Sequence, residues 1–322
     1  MRRIVYTFYS AGGQVGGHKM ILRHVETLRD LGFDAVAYTG AKSPVPAWFA
    51  HRAPILRDAA VPPDRHILVL PDDAVNTLRQ IAGLSYETVV FVQNHYSFAD
   101  RSIAAVDLFP ADRFPRLLGV GPSIEAFLRR LYPQARIHTV PAFADERLFR
   151  PAPERQAAVA LTLRKRPTEA AAIRNLFPLY HPRHAGLAWR TLEGAPEAEV
   201  AQVFGSSSLF LSLSKLEGLG MTPLEAMAGG ALCAGFTGVA GRDYATPENG
   251  VWVEENDCEA AVDALARAAD LAAAGGGAFR RRQEAGYETA RQWSYAAFRQ
   301  RLEEVWMQIA PDARLRNGPL DR

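Results

Sequence analysis

Short apolar runs alternate with stretches of helical spacing along the whole chain. "RIVYTFY" is rich in β-branched and aromatic residues and predicts a strand. "MILRHVETLRDLG" then places Ile21, Leu22, Val25 and Leu28 on one helical face and stops at Gly32. "DAVAYTG" and "HILVLP" predict strands, "AVNTLRQIAG" a helix and "TVVFVQN" a third clear strand. "RLLGVGPS" leads into the helix "SIEAFLRRLYP", with Ser123 as its N-cap, and "ARIHTVPAF" closes the series. "PDDAV" precedes a helical pattern, so Asp72 and Asp73 read as a helix cap rather than as a metal-binding acid pair.

"VPAFADERLFRPAPERQ" is rich in proline and polar residues and predicts a linker. After it the alternation resumes. "AAVALTL", "GLAWRTL", "LFLSLS", "ALCAGF" and "GVWVEE" predict strands. "EAAAIRNLF", "EAEVAQVFGSS" and "PLEAMAGG" predict helices, the last ending at glycine. "DCEAAVDALARAADLAA" is a long amphipathic helix broken by "GGGAF". A closing helix, "SYAAFRQRLEEVWMQIA", carries Phe298, Leu302, Val305 and Trp306 on one stripe.

Strand–helix units in series predict parallel sheets covered by helices on both faces. The expected fold is α/β, with two Rossmann-like doubly wound domains, and 322 residues suffice for two cores. The expected division is 1–147, 148–291, a helix over 292–310 and a loose tail over 311–322. Ligands of such sheets sit at the carboxyl ends of the strands, so two facing domains predict a ligand in the cleft between them. With 37 Lys and Arg against 35 Asp and Glu, nucleic acid is not the expected partner. Two cysteines, Cys233 and Cys258, lack metal-ligand spacing and suit a reducing cytoplasm. No apolar run reaches the roughly 18 residues that span a bilayer. A soluble cytoplasmic protein is expected, with peripheral contact to the inner membrane surface left open.

The stretch "KLEGLGMTPLEAMAGG" carries the chemistry. It follows the buried strand "LFLSLS", so it lies at a carboxyl end. Gly218 and Gly220 allow a turn, Pro223 suits a first helical turn, and a helix N-terminus attracts phosphate. Glu217 sits on the loop and Glu225 about one turn into the helix. Carboxylates accept hydrogen bonds from paired hydroxyls, so a phosphate flanked by two such groups points to a nucleotide-sugar. A second group, Arg164 and Lys165 in "ALTLRKRP", ends the first strand of the second series. Cations there can stabilise a departing diphosphate without a metal. The glycine-rich "SAGGQVGGHKM" lacks the spacing of a dinucleotide fingerprint. Gln93, Asn94 and His95 end a strand in "TVVFVQNHYSF".

The serine-bearing strand and Glu217, Gly218, Leu219, Gly220, Glu225, Ala226, Met227, Ala228 and Gly230 resemble the signature of retaining GT-B glycosyltransferases, above all glycosyltransferase family 4. The likeness is strong over about 201–265 and moderate elsewhere, and the chain also resembles bacterial polysaccharide and lipopolysaccharide sugar transferases. It implies that Glu217 addresses the transferred sugar and Glu225 the ribose. The N–H groups from Leu219 through Gly220 and Met221 to Thr222 would meet the donor phosphates. It maps the family's first-loop glycine pair onto Gly16 and Gly17 and places His95 near sugar or acceptor. Departures lie in the second group, where Leu163 replaces a glycine and Glu169 stands where the family has lysine.

The implied activity is a retaining, metal-independent hexosyl transfer from a nucleoside-diphosphate sugar to a glycan or lipid-linked acceptor in cell-surface polysaccharide synthesis. No cofactor is implied. In the front-face displacement that the likeness implies, the leaving phosphate helps deprotonate the acceptor. The alternatives are a nucleotide-sugar epimerase on the same fold and a catalytically degenerate GT-B binding subunit.

Overall fold

A computed structural model of the chain describes residues 2–9 and 12–315. The chain divides into two units: one runs to Ala142 and resumes at Phe298, and the other is Phe143–Ala297.

In the first unit the elements run β1 (Arg3–Thr7), α1 (Gly16–Asp30), β2 (Ala35–Thr39), β3 (Ile55–Arg57), β4 (His66–Pro71), α2 (Val75–Ile81), β5 (Glu87–Val92), α3 (His95–Arg101), α4 (Ile103–Val106), β6 (Arg116–Gly119), α5 (Pro122–Leu131) and β7 (Ile137–Thr139). The strands form one sheet in the order β3-β2-β1-β4-β5-β6-β7, with every pairing parallel. Ile67 to Leu70 and Val89 to Val92 are buried without alternation, because helices cover both faces of a parallel sheet. Strand order reverses between β1 and β4, so the loops after these strands emerge side by side.

The second unit continues with β8 (Gln156–Thr162), α6 (Pro167–Tyr180), β9 (Ala188–Leu192), α7 (Glu197–Ser206), β10 (Ser207–Leu213), α8 (Met221–Ala228), β11 (Leu232–Phe236), β12 (Gly250–Val253), α9 (Cys258–Ala274) and α10 (Gly277–Gln292). Its sheet, also parallel, has the order β12-β11-β10-β8-β9. Here the order reverses between β8 and β10. This topology places the loop bearing Arg164 and Lys165 beside the loop bearing Glu217. The core joins Val159, Leu161, Leu209, Leu211 and Ala234 on the strands to Ile173 and Phe177 of α6 and Leu265 of α9. The last helix, α11 (Tyr295–Ile309), sends its apolar stripe from Phe298 into the core of the first unit. Trp306 is fully buried there, and its Nε1 donates to the Tyr6 hydroxyl at 3.3 Å.

The structure corrects several local expectations. Helix α5 begins at Pro122 with Gly121 as N-cap, so Ser123 lies inside the first turn; proline at the first position presets the helical φ. The N-cap of α2 is Ala74 and makes no side-chain cap bond; Asp72 turns to another loop instead. The expected loose tail is ordered at its start. Pro311–Ala313 form a 3₁₀ turn, Ala313 is buried, and its carbonyl accepts from the Asp34 N–H at 2.9 Å. The remainder of that tail, 316–322, lies outside the described residues. Helix α10 carries too few apolar positions to produce a legible period, and β3, α3 and α4, of 3, 7 and 4 residues, are too short to show one. No described helix is long and apolar enough to cross a membrane.

Candidate functional site

At the carboxyl ends of β8 and β10 the two expected groups meet. Lys165 Nζ lies 3.0 Å from Glu217 Oε1, their side chains 28% and 18% exposed. Gly220 takes a left-handed conformation (φ 78°, ψ 67°) as the N-cap of α8, which glycine adopts without steric cost. Gly218, Leu219 and Gly220 are buried, while Met221 and Thr222 of the first turn are half-buried. First-turn N–H groups have no partner inside their helix, and they carry the positive end of its dipole. Glu225 lies one turn further on and is 6% exposed.

The loop rests on supports that the sequence did not reveal. Tyr244 is buried, and its hydroxyl donates to the Gly220 carbonyl at 2.6 Å. Burial, and next the charge of Glu217, hold this phenol well above its ordinary pKa, so it stays a donor. Gly238 lies in the left-handed region (φ 69°), and a Cβ there would stand 2.5 Å from Ser214 Cβ, so the loop after β11 presses on the loop after β10. Behind α8, Gly286 of α10 faces Met227, and Gln283 donates to the Gly230 carbonyl at 2.9 Å.

Of the cations after β8, Arg164 is exposed, Lys165 is paired with Glu217, and the next residue, Arg166, is 1% exposed. The Arg166 Nε donates to the Ser214 carbonyl at 2.8 Å, and Nη1 to Asn256 Oδ1 at 2.6 Å and Glu169 Oε1 at 3.1 Å. Its Nη2 pairs with Glu255. Glu169 is therefore engaged by Arg166, with Lys215 Nζ 3.9 Å away. A hydrogen bond from its own backbone holds Glu169 below its ordinary pKa, and Arg166 adds to this. The ion-paired charges are Lys165, Arg166 and Lys215 against Glu169, Glu217 and Glu255, and the exposed Arg164 adds a positive charge on the same loop. A diphosphate entering here would meet positive potential from Arg164 and from the N-terminus of α8.

In the first unit, Gly16 and Gly17 open α1. A Cβ at Gly17 would stand 3.1 Å from Gln93 Nε2, so the topology brings the glycine pair against the loop after β5. Asn94 is the N-cap of α3, and its Oδ1 accepts from the N–H groups of Tyr96 and Ser97 at 3.0 and 3.2 Å. His95 is half-buried, its ring 4.0 Å from that of Tyr96 and 5.5 Å from that of Phe127. Asp72 Oδ2 accepts from the N–H groups of Asn94 and Gln93 at 2.6 and 3.1 Å and so fixes this loop. Burial is the main cause that raises the Asp72 carboxyl to about 7. His18, two residues into the helix after Gly16, was not singled out from sequence. Burial lowers its pKa, while the charge of Asp73 opposes that.

Residues 189–291 match the family described as glycosyl transferases group 1. The segment that matches this family lies on a GT-B fold. The matched segment contains Glu217 and Glu225 but begins after Lys165 and Arg166, which only the strand order brings to it. An alpha-1,6-glucosyltransferase of Actinobacillus pleuropneumoniae serotype 7 is 23% identical over 257 residues, covering 75% of this chain and 76% of that protein. Sucrose-phosphate synthase from Thermosynechococcus elongatus superposes with a TM-score of 0.69 at 15% identity, covering 97% of this chain and all (100%) of that one. Anabaena HepE, solved in complex with UDP and glucose, gives 0.69 at 12% identity, covering 96% and 100%. The group 1 match and the names of these relatives support glycosyltransferase activity.

Proposed function

We propose that the chain is a retaining, metal-independent glycosyltransferase. It moves a hexose from a nucleoside-diphosphate sugar to a glycan or lipid-linked acceptor in cell-surface polysaccharide synthesis. The observation that carries this reading is the Lys165–Glu217 pair at the N-terminus of α8, with Glu225 one turn beyond. The diphosphate lies against the first-turn N–H groups of α8. Lys165 and Lys215 balance the charge that grows on the leaving phosphate. Glu217 orients the sugar through its hydroxyls, and Glu225 holds the ribose. The leaving phosphate takes the acceptor proton on the face it vacates. Gly16, Gly17, Gln93 and His95 of the first unit are assigned to the acceptor side, and Arg164 is a further candidate for the leaving group. UDP-glucose is the first donor to try, since HepE holds UDP and glucose and the A. pleuropneumoniae relative is named a glucosyltransferase.

The test is thermal melting of the wild type and Glu225→Ala with UDP-, GDP-, dTDP- and ADP-sugars. A ligand at 100 times its Kd stabilises by about 2.7 kcal/mol. One nucleotide class should raise the melting temperature of the wild type and not of the variant. No shift with any donor, or the same shift in both proteins, refutes the assignment. Glu217→Gln should bind the same donor and lose turnover, and full turnover by this variant would remove Glu217 from the mechanism.

A further inference from the structure

Arg166 does more than fill the space beside Lys165. It sits where β8 gives way to α6, yet its guanidinium reaches three other strand-end loops. Nε holds the backbone carbonyl of Ser214, directly before Lys215 in the loop after β10. Nη1 and Nη2 hold Asn256 and Glu255 in the loop after β12. The guanidinium carbon lies 4.5 Å over the Phe236 ring, at the end of β11. The second oxygen of Glu255 accepts from the Gly238 N–H at 2.7 Å, which secures the loop after β11 as well. Asn256 itself adopts φ 70°, in the left-handed region that asparagine tolerates better than most residues with a side chain.

We propose that Arg166 is a positioning residue that joins the loops after β8, β10, β11 and β12 and so sets the separation of Lys165 and Glu217; this rests on the donor-site reading above. The physical reason is the cost of burying a charge. Desolvating a guanidinium is unfavourable unless every donor is matched, and an apolar side chain of similar size would stabilise a core as well or better. What an apolar residue cannot do is grip a carbonyl, an amide and two carboxylates in a fixed planar fork. A lysine keeps the charge but loses the fork. Arg166 also engages Glu255 and shares Glu169 with Lys215, and neither carboxylate is paired with Lys165.

The test compares wild type with Arg166→Lys and, because that variant could unfold, with Glu255→Gln and Asn256→Ala. Two readouts are needed: hydrogen exchange over 214–222, 237–240 and 254–257, and affinity for UDP and UDP-glucose. The expected result for Arg166→Lys is faster exchange in all three segments, with strands β8 and β10 still protected. UDP affinity should fall at least about tenfold, the size of a lost charge-assisted hydrogen bond. Donor KM should rise more than kcat falls. Glu255→Gln should free 237–240, and both it and Asn256→Ala should weaken UDP binding about threefold or more. Variants with a lower melting temperature but unchanged exchange and unchanged UDP affinity would overturn the proposal. If wild type binds neither ligand, the donor reading fails, and the exchange pattern alone still decides whether Arg166 joins the loops.

Discussion

His24 is fully buried on α1, and its Nδ1 lies 2.9 Å from the Tyr6 hydroxyl. The rings of Phe91 and Phe298 stand 4.6 and 5.0 Å away. Burial among these groups lowers its pKa from 6.5 to about 3. The unfolded chain therefore takes up a proton between pH 6.5 and 3 that the folded chain refuses. His24 thus contributes stability that is fully present above pH 6.5 and is lost as pH falls toward 3. At about 1.4 kcal/mol per tenfold in proton affinity, the whole loss is about 5 kcal/mol. Asp72, in the same unit, works in the opposite sense. Burial raises its carboxyl from 3.8 to about 7, so the folded chain holds a proton that the unfolded chain has released. Its contribution is fully present below pH 3.8 and declines by about 4 kcal/mol as pH rises to 7. Between pH 4 and 6.5 the two slopes nearly cancel. His24→Gln removes one of them and keeps an acceptor for Tyr6. Urea midpoints measured from pH 4.5 to 7.5 should show His24→Gln gaining stability, relative to wild type, as pH falls. Asp72→Asn should show the reverse, a steeper loss toward acid. A His24→Gln profile parallel to that of wild type would refute the reasoning.

Tyr244→Phe removes the hydrogen bond to the Gly220 carbonyl and leaves that carbonyl without this donor; about 1–3 kcal/mol of stability should be lost, with a raised donor KM, read by denaturant titration and initial rates. Gly238→Ala forces a Cβ to 2.5 Å from Ser214 Cβ in a left-handed conformation. It should cost at least about 1–2 kcal/mol and weaken donor binding, whereas an unchanged melting temperature would mean that the loop after β11 does not press on Ser214. Lys165→Met should lower kcat more than it raises donor KM, because its charge is needed as the phosphate leaves; an unchanged kcat removes it from leaving-group stabilisation. Trp306→Ala empties a fully buried site and should cost about 3–5 kcal/mol, while UDP affinity of the folded protein is retained.

The alternation of strand and helix was legible because periods of 2 and 3.6 are local properties of the chain. "HILVLP", "TVVFVQN" and "LFLSLS" needed only their own residues to be read as buried strands. Glu217 and Glu225 were legible for a related reason: their spacing, the glycines between them and the helix that follows are contiguous. Helix α10 was not legible, since only Gly286 and Ala290 of its residues are buried and neither marks a period. Asp72 read as a helix cap because sequence shows only the next turn, whereas its actual partners lie 21 and 22 residues on.

The sequence by itself determined most of the elements, the parallel α/β class and the signature loop, because each rests on neighbours in the chain. Tertiary structure alone decided which cation matters where. Strand order puts β8 next to β10, and that adjacency pairs Lys165 with Glu217. It also turns Arg166, next to Lys165 and two residues from Arg164, into a buried fork reaching 48 residues to Ser214 and 89 to Glu255. Three basic residues in a row are indistinguishable to a local pattern. Their roles separate only when burial makes an unmatched charge costly and the fold supplies matching acceptors to one of them.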